Sequence, residues 1–98
     1  MELRTHPEAN NDFFESYFYY EKATEGLGER FYEEVKEAYS NIEKNPLRKR
    51  LFKGNYRIYL LKRFPFQIVY TYNKVKERIS IIAIHHNSKH PKKRFRKF

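Results

Sequence analysis

The chain contains no cysteine, no tryptophan and only three glycines among its 98 residues. Without cysteine it can form no disulfide and has no thiolate for catalysis or metal binding. Its longest apolar run, Ile81–Ile84, is far shorter than a membrane span, and no apolar signal-peptide region follows Met1. Since neither a membrane span nor a signal peptide is indicated, we expect a soluble cytoplasmic protein. The sequence also lacks a glycine-rich phosphate loop.

Acidic residues are almost absent from the second half of the chain. Residues 1–45 hold five Lys/Arg and eleven Asp/Glu, a net charge of −6, whereas residues 46–98 hold sixteen Lys/Arg and one acid, Glu77, a net charge of +15. Such a concentrated excess produces a local positive potential that attracts polyanions and acidic partners.

The composition is nevertheless that of a folded domain. Hydrophobic residues make up 40% of the chain and aromatic residues 18%, which is enough apolar material for one core in a chain of this length. We predict a single domain over residues 1–98, in which residues 88–98 form a basic tail.

The first half has a helical pattern. Residues 2–5 could form a short strand, after which the spacing of Thr5 and Glu8 is typical of a capping box. Aromatic residues at helical spacing predict a first helix over about 9–22, and an apolar stripe predicts a second over about 29–44. Asn45-Pro46 should end the second helix, because a residue before proline disfavours the helical conformation.

The second half changes to strand-like alternation. Strands are predicted over residues 56–61, after a Gly54-Asn55 turn, and over residues 66–72 and 78–85. The last of these is apolar at nearly every position, which indicates a central strand buried on both faces. The predicted class is α+β, with an N-terminal strand and a helical hairpin packed on a small antiparallel sheet, followed by the basic tail.

Several segments, taken in order, resemble the RelE/ParE superfamily of toxins from type II toxin–antitoxin (plasmid stabilisation) systems. The resemblance rests on the helix pair ending in NP, the block RFPFQIVY at 63–70 and the strand segment AIHHNSKHP at 83–91, and it covers essentially the whole chain. It implies a toxin that inhibits growth and an acidic, mostly disordered antitoxin that folds on the basic sheet.

The superfamily contains ribosome-dependent mRNA-cleaving members and members that poison DNA gyrase without cutting RNA. The resemblance places Arg57 at a basic position of the cleaving members, but Gln67 stands at their third-strand arginine. Lys89 replaces the arginine three residues after the histidine matched by His86, and Phe95 replaces the terminal tyrosine. These departures favour a gyrase-inhibiting mode, with ribosome-dependent mRNA cleavage as the alternative.

RNA cleavage would require a base, an acid and cations around the developing phosphorane charge. The candidate catalytic residues are therefore Arg57, Lys89 and His86, although a structural, hydrogen-bonded His86 is the simpler interpretation. We predict that the following residues bind nucleic acid or another target: Arg57, Arg63, Gln67, Lys89, Lys92, Lys93, Arg94, Phe95 and Arg96.

Two further interpretations belong to other classes. The charge alone is equally consistent with a plain nucleic-acid-binding module that has no toxicity. A zinc site built from His6, His86 and His90 would have unspecific spacing and no cysteine ligand, so we predict no metal and no cofactor.

Because adjacent strand residues point to opposite faces, His85 and His86 should not share a site.

Overall fold

The computed structural model describes residues 1–88, so the predictions for Lys89 and the rest of the tail lie outside the described residues. Within residues 1–88, two helices and five strands follow one another. They are β1 (Glu2–Thr5), α1 (Pro7–Ala23), α2 (Leu27–Lys44), β2 (Leu51–Lys53), β3 (Tyr56–Leu60), β4 (Phe66–Asn73) and β5 (Arg78–His86). The α+β class is confirmed: the helices pack on one face of a five-stranded sheet with strand order β1-β5-β4-β3-β2.

The sheet differs from the predicted antiparallel arrangement in two ways. Strands β2 to β5 form an antiparallel meander, but β1 pairs with β5 in parallel, so the sheet is mixed. Between β1 and β5 the chain passes through both helices and the strands β2, β3 and β4, a connection long enough for parallel pairing. Strand β2 was not predicted, since its three residues are all exposed and show no alternation.

The sheet has an inner face, which meets the helices, and an outer face on the opposite side. The inner face contributes Ile68, Tyr70 and Ile81 to the main core with α2. On the outer face Val69, Ile82 and Ala83 form a second buried cluster, against which Tyr56 and Ile58 pack. Strand β5 contributes to both clusters, which confirms its prediction as a central strand buried on both sides.

Helix α1 begins one residue later than the predicted capping box requires. His6 is the N-cap residue and its Nδ1 accepts a hydrogen bond of 3.0 Å from the amide of Glu8, while Thr5 is the last residue of β1. The capping-box prediction was therefore wrong, because the first helical hydrogen bonds return to His6, whose carbonyl oxygen accepts the amides of Ala9 and Asn10. Pro7 occupies the first helical turn, where its missing N–H leaves no hydrogen bond unmade.

The two helices approach closely where α2 begins. Glu21 of α1 accepts hydrogen bonds of 2.9 Å from the amides of Gly26 and Gly28, which would otherwise be unsatisfied at the helix start. A Cβ at Gly28 would lie 2.7 Å from the carbonyl oxygen of Tyr17, so only glycine fits there. Helix α2 ends at Lys44, immediately before Asn45-Pro46, as predicted. Neither helix, in the part of the chain described, is long and apolar enough to cross a membrane.

Candidate functional site

An open groove of about 720 Å³ lies on the outer face, at the end of the sheet where β4 begins. Three consecutive cations, Arg48, Lys49 and Arg50, line one side of it. The other lining residues are four apolar side chains and two amide side chains: Leu51, Phe52, Ile58, Leu60, Gln67 and Asn87. The groove therefore combines positive charge with exposed apolar surface, a combination that suits an acidic ligand with apolar groups.

The cationic side of the groove is held by two residues of the inner face. Arg57 and Tyr70 are direct cross-strand partners on β3 and β4. The Arg57 guanidinium donates a hydrogen bond to the carbonyl oxygen of Lys49, and the Tyr70 hydroxyl donates one of 3.0 Å to that of Pro46. The segment that carries Arg48 is thereby fixed against the sheet at two points. Burial raises the pKa of the Tyr70 hydroxyl, so this residue remains a neutral donor.

Gln67 lies inside the groove and is only 3% exposed. Its Nε2 donates to Asn87 Oδ1 at 3.3 Å, but its Oε1 has no hydrogen-bond partner among the described residues. A buried carbonyl without a donor is costly, and such exceptions in a folded protein call for an explanation. The oxygen itself has almost no accessible surface, so a ligand in the groove would reach it only if the Gln67 side chain changed conformation on binding.

Arg63 lies away from this groove, in the β3–β4 connection. Its backbone amide donates to both carboxylate oxygens of Glu34 on α2, at 3.1 and 3.0 Å, and the amide of Lys62 donates to the same carboxylate. Glu34 thus anchors the connection to the helix. The side chain of Arg63 is exposed and lines a different depression, together with Leu27 and Phe64.

His85 and His86 occupy opposite sides of β5, as the alternation predicts. His85 is buried, and its Nε2 lies 3.7 Å from Asp12 Oδ2, the same oxygen that accepts the amide of Ile84 at 3.1 Å. His86 packs edge-on against Phe66 of the inner face, with ring centroids 5.3 Å apart.

The ring of His86 is tied to the residues that follow the strand. Its Nδ1 accepts the amide of Ser88 at 3.1 Å and lies 2.8 Å from the Ser88 hydroxyl. The side chain also lines a depression between α1 and the start of β4, together with Glu15, Tyr20 and Phe66. These contacts agree with the structural interpretation of His86.

The candidate catalytic residues that the structure describes do not converge. Arg57 is the cross-strand partner of Tyr70, and His86 is that of Phe66. Tyr70 and Phe66 are four residues apart along β4, so Arg57 and His86 are separated along the strand direction by about 13 Å at the usual rise. Gln67 lies on the outer face, opposite to both. Lys89, the third catalytic candidate, lies outside the described residues, as do the target-binding candidates of the tail: Lys92, Lys93, Arg94, Phe95 and Arg96.

The sequence analysis did not select the residues that line the groove, apart from Gln67. The run Arg48-Lys49-Arg50 directly after the helix-ending Pro46 was a usable signal, because three cations followed by Leu51 and Phe52 join charge to apolar surface. As for metals, residues 1–88 contain no group of three His, Asp or Glu side chains placed to hold an ion.

Comparison with known proteins agrees with this arrangement. A family model described as the ParE toxin of type II toxin–antitoxin system, parDE, matches residues 3–91. The chain belongs to the ParE toxin family. A solved structure of the chromosomal ParDE toxin–antitoxin system from P. aeruginosa is similar in fold, with a TM-score of 0.64 and 21% sequence identity over 88% of this chain and 95% of that one. A search of curated proteins found no match.

Family membership confirms the resemblance to the RelE/ParE superfamily, and the matching family within it is that of the ParE toxins. It accounts for the ordered set of helix pair, FPFQIVY block and apolar strand, since these segments form α1–α2, β4 and β5 in the structure. Among the described residues, the groove beside Gln67 combines three cations with exposed apolar side chains.

Proposed function

We propose that this ParE-family protein inhibits bacterial growth and is neutralised by a cognate antitoxin whose acidic, apolar segment binds the groove. The observation that carries the proposal is the exposure of three large apolar side chains beside three cations. Leu51 is 56% exposed, Phe52 53% and Leu60 60%, and Arg48 to Arg50 lie next to them.

An acidic segment that is disordered when free suits this surface for two physical reasons. Its carboxylates gain charge-assisted contacts with the arginines, and its apolar side chains leave water as they cover Leu60 and Phe52. If the Gln67 side chain turns toward the groove on binding, a backbone or side-chain donor of the segment would also satisfy its Oε1. Segments that fold on binding reach such extended grooves well, although part of the binding free energy is spent on ordering them.

We further propose that the toxin acts without cutting RNA, by inhibiting DNA gyrase. Support comes from the separation of Arg57 and His86 and from the use of the Arg57 guanidinium by the Lys49 carbonyl. A charge-stabilised cleavage site needs its cations and its proton-transfer groups around one phosphate. Gln67 adds no charge, and its side chain is on the other face of the sheet.

The growth and neutralisation experiment uses the protein as it stands. Expression alone should slow growth, and co-expression of the antitoxin should restore it. Leu60→Glu places a negative charge in the groove and should weaken antitoxin binding at least tenfold while toxicity persists. Val75→Glu is the matched control, because Val75 is 94% exposed and lies in the β4–β5 turn, outside the groove.

Two outcomes would contradict this part of the proposal. A folded, soluble protein that leaves growth unchanged at high expression would favour a nucleic-acid-binding module without toxicity. Equal rescue of the Leu60→Glu and Val75→Glu variants by the antitoxin would place the antitoxin on another surface.

The target is tested in two purified systems side by side. We expect the protein to inhibit supercoiling by DNA gyrase and to leave mRNA on programmed ribosomes intact. Rapid codon-position cleavage, with no effect on supercoiling, would replace the gyrase proposal with a ribosome-dependent mRNA interferase.

A further inference from the structure

A second concave region of about 600 Å³ lies on the outer face, at the opposite end of the sheet from the groove. Four of its lining residues stand directly opposite one another across four strands. Arg4 of β1 is in register with Ser80 of β5, Ser80 with Thr71 of β4, and Thr71 with Tyr56 of β3. We call these four residues the hydroxyl row, after the three of them that carry a hydroxyl group.

The row has the dimensions of a phosphate-binding surface. Neighbouring strands lie about 4.8 Å apart, so the hydroxyl groups of Ser80 and Thr71 are about one strand spacing from each other. A phosphate placed between them can accept from both hydroxyls at once. Arg4 at one end of the row adds a guanidinium, the side chain best suited to bidentate phosphate contact.

Two further cations border the row. Arg78 lies two residues before Ser80 on the same side of β5, and its Nε donates to Glu2 Oε1 at 2.8 Å. This contact fixes the guanidinium plane and involves only Nε, while the side chain remains 31% exposed. Lys74, in the turn between β4 and β5, also lines the region.

The charge balance favours an anion. Arg4, Lys74 and Arg78 line the region, and none of the acidic residues in the described part of the chain does. Glu2 pairs with Arg78 and also interacts with the charge of Arg4. Glu77 lies in the same turn as Lys74, and its amide donates to the Lys74 carbonyl. Three cations therefore face two nearby carboxylates, neither of which borders the space that a ligand would fill.

The remaining wall indicates what the phosphate would be attached to. Tyr56 closes the row with an aromatic ring, and Ile82 adds apolar surface beside it. Base stacking on an aromatic side chain beside phosphate-contacting cations is a common mode of nucleotide recognition. A volume of about 600 Å³ is within the usual range of small-ligand sites.

We propose that the hydroxyl row, with Lys74 and Arg78, binds the phosphate of a nucleotide unit whose base lies against Tyr56. The unit is either a free nucleotide or one residue of a single strand. The site is separate from the groove and does not depend on the proposed function.

The test uses the full-length, isotope-labelled protein and three probes: inorganic phosphate, adenosine 5′-monophosphate and an eight-residue single-stranded oligonucleotide. In amide NMR spectra at low salt, binding should shift the signals of Ser80 and Thr71. Shifts with adenosine 5′-monophosphate identify a terminal phosphate, and shifts with the oligonucleotide alone identify an internal one. The double variant Thr71→Val, Ser80→Ala should weaken binding of the effective probe at least fivefold.

Lys74 and Lys76 provide a matched pair of controls, since both lie in the β4–β5 turn and only Lys74 lines the site. Lys74→Gln should weaken oligonucleotide binding at least threefold more than Lys76→Gln. Loss of one phosphate contact should also lower the salt slope of log K by about 0.7. Equal effects of the two substitutions, or unshifted Ser80 and Thr71 signals with every probe, would overturn the proposal.

Discussion

Arg57 and Tyr70 stand side by side across β3 and β4, and both donate hydrogen bonds to carbonyl oxygens of one segment, residues 46–49. That segment contains Arg48 and Lys49, two of the three cations that line the groove. Arg57, which the family resemblance offers as a catalytic cation, is thus used to position the segment. Two residues of the inner face therefore hold a segment that lines the groove on the outer face.

We predict that Tyr70→Phe lowers the free energy of unfolding by about 1–3 kcal/mol, because the buried Pro46 carbonyl loses its donor. Urea unfolding at neutral pH measures the change. Tyr19→Phe, at a position that is 71% exposed, is the control and should leave the midpoint unchanged. Equal midpoints for the two variants would show that water replaces the hydroxyl.

Alkaline pH should destabilise the fold through its buried tyrosines. Burial raises the pKa of Tyr39 and Tyr70 above the usual value of 10.0. Their contribution to stability is therefore fully present below pH 10 and is lost as pH rises, since the unfolded chain then releases protons that the folded chain retains. We expect the free energy of unfolding to fall above about pH 10.

The substitution Tyr39→Phe should flatten that alkaline fall, whereas Tyr19→Phe should not. Absorbance titration of the phenol groups gives an independent measurement, in which some of the nine tyrosines should ionise only as the protein unfolds. Ionisation of all nine below the unfolding transition would contradict the assigned burial.

Glu34 should be a second point of stability, since its carboxylate accepts the amides of both Lys62 and Arg63. We predict that Glu34→Ala lowers the free energy of unfolding by about 1.5–3 kcal/mol, the usual range for hydrogen bonds to a charged group. Glu33→Ala removes the same charge from an exposed neighbour and should change stability by less than about 0.5 kcal/mol. A similar loss of unfolding free energy in both variants would show that the effect comes from removing a negative charge from α2 and not from the two hydrogen bonds.

The elements that local chemistry specifies were predicted well from the sequence. The end of α2 follows from Asn45-Pro46, and the buried strand β5 follows from its unbroken apolar run. The parallel pairing of β1 was not predictable in this way, because a four-residue strand does not indicate which neighbour it joins. The exposed β2 left no pattern at all.

The candidate site was harder to predict because it depends on which face of the sheet the helices cover. Alternation along β3 separates Arg57 from Leu60, but it does not show that Arg57 is on the covered side. The resemblance placed Arg57 and Gln67 at one site, whereas the register places them on opposite faces. The burial of Gln67 depends on contacts between β4 and distant segments, which spacing along the chain does not encode.

Gln67 provides the sharpest test of the groove, because stability and binding should change in opposite directions. Gln67→Met keeps the length of the side chain and removes the buried Oε1 that has no described partner. Since an unpaired buried carbonyl costs about 1–3 kcal/mol, and the bond to the exposed Asn87 is weak at 3.3 Å, we expect the free energy of unfolding to rise by about 1 kcal/mol.

The same substitution should weaken binding of the antitoxin about tenfold, because no Gln67 oxygen could then turn toward the groove and accept from the bound segment; this corresponds to about 1.4 kcal/mol. Gln67→Arg should behave differently, since it brings an unpaired charge to a position that is 3% exposed and should destabilise the fold by at least 2 kcal/mol, roughly. Titration calorimetry with the antitoxin, together with urea unfolding, measures both quantities. A more stable Gln67→Met variant that binds the antitoxin as tightly as the unmodified protein would show that the bound segment does not use this oxygen.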